Sequence, residues 1–267
     1  GENSHIAIHE VGAAAVISNV QLKTIKSRDD ILYPEEIEKA IRADDIHEPR
    51  TGLICLENAL ANGTVVPLDI MKDIYDLSKQ KNIPIHLDGA RLFNAATYLN
   101  VNAADITQYT DSVMFCLSKG LCAPVGSILA GSKEFIDKAR KNRKLLGGGM
   151  RQAGFLAAPG IIALKEMTKR LHEDHDNAKY MAKKLMEFPG IELDIDKIHI
   201  NMVFFKLNPS IIEPSTLVNG LLEQGIKVNA PDGNVYRFAC NNDIDKKDID
   251  YLMDSIKDIY NSFYQKN

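Results

Sequence analysis

Two short apolar runs, each closing on a charged residue, constrain this chain most. Ile83-Pro84-Ile85-His86-Leu87 ends in Asp88 and continues as Gly89-Ala90-Arg91 into a helix over 92–99. Ser112-Val113-Met114-Phe115-Cys116-Leu117 ends in Ser118-Lys119-Gly120. Runs of this length read as buried strands rather than helices, and the segments around them alternate in type. An alanine-rich helix is expected over 12–18 and an alternating strand over 20–26. Pro34-Glu35-Glu36 opens a helix with proline in its first turn and acids at its positive end. A strand over 52–57 and an amphipathic helix over 67–81 follow, then a strand over 125–130 and a helix over 134–145. This order predicts an α/β fold with a mostly parallel, doubly wound sheet. From Ala153 a helical region runs to Glu187, interrupted at Pro159-Gly160. Strands over 192–195, 202–206 and 235–239, with helices over 214–224 and 246–264, predict a smaller C-terminal α+β domain. The boundary is placed in the helical linker, giving domains of 1–160 and 161–267.

The charged residues that end the two runs carry chemistry. In open α/β sheets ligands bind outside the carboxyl ends of the strands, and the separation between Asp88 and Lys119 leaves room for one helical crossover. An amine held among apolar neighbours favours its neutral, nucleophilic form and attacks carbonyl carbon. An aspartate, a lysine and an arginine together suit pyridoxal 5'-phosphate: the carboxylate keeps the pyridine nitrogen protonated and the lysine holds the aldehyde carbon. Taken singly, Lys119 reads as a strand-end solubilising residue and Asp88 as a helix cap.

The stretches His86–Ala95 and Asp111–Ser127, with Leu146-Gly147-Gly148-Gly149-Met150-Arg151-Gln152-Ala153-Gly154 and Ser4-His5-Ile6, resemble the low-specificity L-threonine aldolases. These are fold-type I, aspartate-aminotransferase-like pyridoxal phosphate enzymes of the β-eliminating lyase/threonine aldolase family. The resemblance runs through essentially the whole chain. It implies cleavage of L-threonine and L-allo-threonine to glycine and an aldehyde by retro-aldol chemistry. Members of that family carry an earlier segment with a Ser-Gly-Thr turn that cups the cofactor phosphate. This sequence opens at Gly1-Glu2-Asn3-Ser4-His5, and its Gly63-Thr64 pair lies in an expected hairpin turn. The resemblance therefore implies a chain lacking its N-terminal segment, with 1–160 an incomplete cofactor-binding domain.

The same resemblance assigns roles to particular residues. His5 matches the histidine that stacks on the cofactor ring, the other reading being a free terminal histidine. Arg91 matches an arginine reaching the substrate carboxylate, the other reading being a helix-end ion pair. Arg237, in the alternating run Asn234-Val235-Tyr236-Arg237-Phe238, matches the small-domain arginine that clamps that carboxylate bidentately. A salt bridge at the domain junction is its alternative. Lys144 and Arg151 flank the Gly147-Gly148-Gly149 loop and match residues near a neighbouring subunit's cofactor phosphate. A homodimer or homotetramer with sites at subunit interfaces is the implied assembly. One position departs from the pattern: after Leu56-Glu57-Asn58 the family has Thr-His, whereas this chain has Ala59-Leu60. Leucine cannot take a proton from the substrate β-hydroxyl, which leaves His5 acting through a water, or another substrate. Two alternatives follow, a β-eliminating lyase acting on another amino acid and an inactive fragment of the parent enzyme.

Composition narrows the classes. The chain has 267 residues, 45% of them hydrophobic, enough for a large core. A net charge of −4 with no basic stripe argues against a nucleic-acid surface. The run from Lys138 to Lys144 reads as a solvated helix face. No stretch reaches spanning length and no cleavable signal is visible, so no membrane partner is expected and the cytoplasm is the expected compartment. Cys55 and Cys116 read as reduced core thiols, and Cys122 and Cys240 lack zinc spacing, so neither disulfide nor metal is expected. His172 and His175 with Glu173 and Asp174 read as a solvated helix face. Asp243 to Lys246 reads as a helix start.

Overall fold

A computed structural model describes residues 1–264. The chain divides into two compact units, Gly1–Thr168 and the residues from Lys169 onward.

The first unit opens with two short helices, α1 (His5–Ile8) and α2 (Ala13–Ser18), followed by α3 (Pro34–Ala40). Its sheet has the order β1-β2-β3-β4, built from β1 (Ile54–Glu57), β2 (Ile85–Asp88), β3 (Ser112–Cys116) and β4 (Ser127–Gly131). The pairs β1–β2 and β2–β3 are parallel, because α4 (Leu68–Lys81) and then α5 (Leu92–Leu99) with α6 (Ala103–Thr107) supply the crossovers. The pair β3–β4 is antiparallel. A short loop joins these two strands, too short for a crossover helix, so β4 returns against its neighbour. Then come α7 (Lys133–Leu145) and α8 (Gly154–Lys165).

Period-two alternation decides what each strand buries. Ile54, Leu56, Ile85, Leu87 and Val113 lie on the buried face, with Ile85 and Leu87 fully enclosed. The opposite face carries Cys55, Glu57, His86, Asp88, Ser112 and Met114 in register, all half-buried. Beyond β1, Asn58 is fully buried and holds the following loop: its Nδ2 donates to Val66 O at 3.1 Å and its Oδ1 accepts from Val66 N at 3.1 Å. The expected turn at Gly63 forms there, closed by Leu60 N–H to Thr64 O at 2.9 Å.

Two expectations need correction in this unit. Residues 20–26 form no strand. Their alternation supplies one apolar side, but no other strand pairs with them among the described residues, and Val20 and Leu22 stay exposed. The helical region is not interrupted at Pro159-Gly160, because α8 runs through Pro159. The break comes in the 3₁₀ turn Met167–Lys169, and the division between units falls there, past the expected boundary at 160/161.

The second unit stacks α9 (Leu171–Leu185), α10 (Pro214–Glu223) and α11 (Lys246–Tyr264) with an antiparallel sheet of order β5-β6-β7. Its strands are β5 (Ile191–Glu192), β6 (Met202–Leu207) and β7 (Val235–Ala239). Phe205 and Tyr236 stack at 4.9 Å in its core, and the Tyr236 hydroxyl donates to Pro214 O at 3.0 Å. As expected, Asp243 to Lys246 starts a helix: the Asp245 carboxylate accepts from the Lys247 and Asp248 amides. The expected solvated face around His172 and His175 is half wrong. His172 is exposed, but Asp174 and His175 are buried on the stripe of Leu171, Ala178, Met181, Ala182 and Leu185. Asp174 is kept there by Arg170, whose Nη2 lies 2.9 Å from its Oδ1.

Candidate active site

The carboxyl ends of β1 and β2 bring two acids side by side, since Glu57 and Asp88 are register partners. Asp88 Oδ1 accepts the Ala90 N–H at 3.0 Å, which fixes the carboxylate at the strand end and starts the turn into α5. Gly89 donates its N–H to Met114 O at 2.9 Å, tying this turn to β3. Glu57 accepts the His5 N–H at 2.9 Å, so the first turn of α1 is docked on the end of β1. Burial pushes the Glu57 carboxyl above its usual range, helped by the charge of Asp88; the His5 amide and Arg91 act in the opposite direction. The His5 ring points its Nδ1 to Glu10 Oε1 at 2.9 Å and lies 5.2 Å from the ring of His9.

Lys119 follows β3 in a tight turn closed by Cys122 N–H to Lys119 O at 2.9 Å. It is half-buried and lines one depression with Arg91, Asn94 and Cys116. Gly160 of α8 backs this loop: a Cβ there would stand 3.1 Å from Leu117 Cδ1. The strand ends thus place a carboxylate, an amine and a guanidinium on neighbouring elements, the donor set that a protonated ring nitrogen, an aldehyde and a carboxylate each require.

The structure does not gather every residue named from sequence. Lys144 ends α7 and Arg151 follows the glycine loop; both are exposed, and neither lines the depression that holds Lys119. Gly149 lies so close to the Lys144 stem that a Cβ would come within 2.5 Å of its Cδ. Arg237 is exposed on β7 in the second unit. Leu60 is buried, 8% exposed, in the loop after β1. Cys55 and Cys116 are half-buried rather than core thiols, because both sit at positions of the sheet that face away from the closed core or at its rim; Cys240 is the buried one. Glu57 was not singled out from sequence, although a carboxylate ending a strand beside Asp88 was the available signal.

The sequence model of the beta-eliminating lyase family matches residues 1–208. The chain belongs to that family. It is 43% identical over 208 residues to the low specificity L-threonine aldolase of Escherichia coli K12, a match covering 78% of this chain and 61% of that protein. The low-specificity L-threonine aldolase 1 of Arabidopsis thaliana is 38% identical over 259 residues, covering 95% of this chain and 72% of the relative. The chain therefore spans about three fifths of the Escherichia coli relative's length, 61%. Among solved structures, the threonine aldolase of Leishmania major superposes with a TM-score of 0.77 at 20% identity, covering 97% of this chain and 76% of that one. A PLP-dependent aminotransferase of Streptococcus suis gives 0.63 at 17% identity, covering 86% and 61%. These likenesses establish the α/β fold expected from the sequence. No helix among the described residues is long and apolar enough to cross a membrane.

Proposed function

We propose that this chain forms the body of a pyridoxal phosphate-dependent aldehyde lyase that cleaves L-threonine and L-allo-threonine to glycine and acetaldehyde. The observation that carries the reading is the placement of Asp88 and Lys119 at the ends of adjacent parallel strands, with Arg91 and Lys119 lining one depression. Family membership and the names of the relatives support it. When bound, the cofactor supplies a sink for the electron pair of the breaking Cα–Cβ bond. Lys119 Nζ would hold its aldehyde carbon, and the Asp88 carboxylate would keep the ring nitrogen protonated. His5 would cover the ring, Arg91 and Arg237 would grip the substrate carboxylate, and Lys144 and Arg151 would reach a neighbour's cofactor phosphate. His5 is also the candidate to take the β-hydroxyl proton, since Leu60 has no group to accept it.

We place this site in a homodimer or a larger homo-oligomer. The helix α8 is apolar around its whole circumference, and Phe155, Ile161 and Ile162 are exposed on it. Such a helix needs cover on every side, and Leu145, Leu146 and Met150, before it in the chain, are exposed as well.

The buried leucine at position 60 favours one second reading, β-elimination from another amino acid. Product analysis separates the two. Glycine with acetaldehyde from threonine, abolished by Lys119→Ala, supports the aldolase; pyruvate and ammonia from another amino acid would put β-elimination in its place.

A further inference from the structure

The half-buried face of the first sheet holds an imidazole to which the reading above gives no task. His86 precedes Asp88 by two positions on β2, so both side chains leave the strand on one face, with Cα atoms about 7 Å apart. Register places Cys55 and Glu57 beside them on β1, and Ser112 and Met114 on β3. His86 Nδ1 lies 2.8 Å from Ser112 Oγ, so the ring is braced sideways across the ladder. Asp88 is braced from the other end by the Ala90 amide. The imidazole and the carboxylate are therefore both held, one above the other, on a face with little room to turn.

We propose that His86, braced by Ser112, is a positioning residue for Asp88: neutral, it leaves the carboxylate's charge directed at the group Asp88 faces, and protonated, it draws that charge to itself. This rests on the reading of Asp88 as partner of a cationic ring nitrogen. Burial favours the neutral imidazole and Asp88 opposes it, so the ring senses the carboxylate through a partly desolvated gap. The other titratable groups on this face are Glu57 and Cys55, with the Gly1 amine next to both. Ser112 and Met114 from β3 carry no charge. On acidification the imidazolium competes with the ring nitrogen for one carboxylate, so affinity for a cationic pyridine ring falls.

Two measurements test this. In the first, the His86 ring protons are followed by NMR without cofactor over roughly pH 4–9, in the wild type, Asp88→Asn, Ser112→Ala and the double variant. The expected result is a lower titration midpoint in Asp88→Asn, and a smaller effect of Asp88 once Ser112 is gone. An unmoved midpoint in a folded Asp88→Asn variant overturns the coupling. In the second, affinity for pyridoxal phosphate is measured at pH about 8 and about 5. His86→Gln should bind like wild type at the higher pH and, unlike wild type, keep that affinity at the lower one. Asp88→Asn should bind about tenfold or more weakly at the higher pH. If Asp88→Asn binds as wild type, the assignment of Asp88 fails. If it binds weakly while His86→Gln and wild type share one pH profile, the His86 inference alone fails.

Discussion

Gly89→Ala is the perturbation that probes the seam between β2 and β3 most directly. Gly89 does not occupy the left-handed region, so alanine suits its backbone and the effect is one of space. An ideal Cβ there would stand 2.9 Å from Met114 O, 3.1 Å from Leu92 Cβ and 3.2 Å from Val113 Cγ2. The first contact is with a backbone oxygen that accepts the Gly89 N–H, so no side-chain rotation relieves it. Overpacking of this kind costs about 1–3 kcal/mol. Alanine recovers about 0.4–1 kcal/mol by restricting the unfolded chain, leaving a net loss of between about 0 and 2.6 kcal/mol. At a urea m value of about 2 kcal/mol/M, the midpoint should fall by up to roughly 1.3 M with m unchanged. The relief has to come from β2 and β3 moving apart, which carries Asp88 away from the strand that leads to Lys119. Affinity for pyridoxal phosphate should therefore fall as well. A Gly89→Ala protein more stable than wild type would refute the packing argument.

Three further outcomes are expected. Lys79 lies 2.7 Å from Asp111, which also accepts the Ile85 N–H at 2.8 Å; burial raises the Asp111 carboxyl, but these partners outweigh it and hold it below its ordinary 3.8. Its contribution is present above that value and lost as pH falls through the lower folded one, so Asp111→Asn should lose about 1 kcal/mol at neutral pH and show a flatter acid limb in urea melts. His175 is buried and its imidazole is pushed down from 6.5 to about 4, by burial first and then by the charge of Lys179. The unfolded chain then binds the extra proton, and the second unit should lose at most ~3 kcal/mol as pH falls through that interval. His175→Gln should remove this dependence in thermal scans. Leu60→His puts a proton acceptor where the leucine lies: it should destabilise by about 1–3 kcal/mol and raise the rate of glycine release from threonine. An unchanged rate would mean that position 60 does not face the β-hydroxyl.

The strand ends were legible in the sequence because apolar runs closing on Asp88 and Lys119 leave few alternatives in an α/β chain. The helices over 34–40 and 68–81 were legible too, from proline, acids and periodicity. Residues 20–26 show where that reasoning stops, because alternation says which side of a strand is apolar but not whether an edge exists to receive it. Pro159 misleads for a related reason: a proline inside a helix removes one hydrogen bond, and α8 continues past it. Asp174 and His175 looked solvated by residue type, yet the spacing from Leu171 to Leu185 puts them on the inner stripe, where Arg170 makes the acid tolerable. In the site, the brace of His86 on Ser112 depends on a cross-strand register that no local pattern encodes.

The central claim is that Lys119 is the residue to which the cofactor attaches. Mixing the protein with pyridoxal phosphate, reducing with borohydride and mapping the labelled peptide by mass spectrometry tests it most directly. The expected result is one pyridoxyl group, on the peptide holding Lys119, absent in Lys119→Ala and diminished in Asp88→Asn. Label spread over surface lysines, or labelling unaffected by Lys119→Ala, would contradict it.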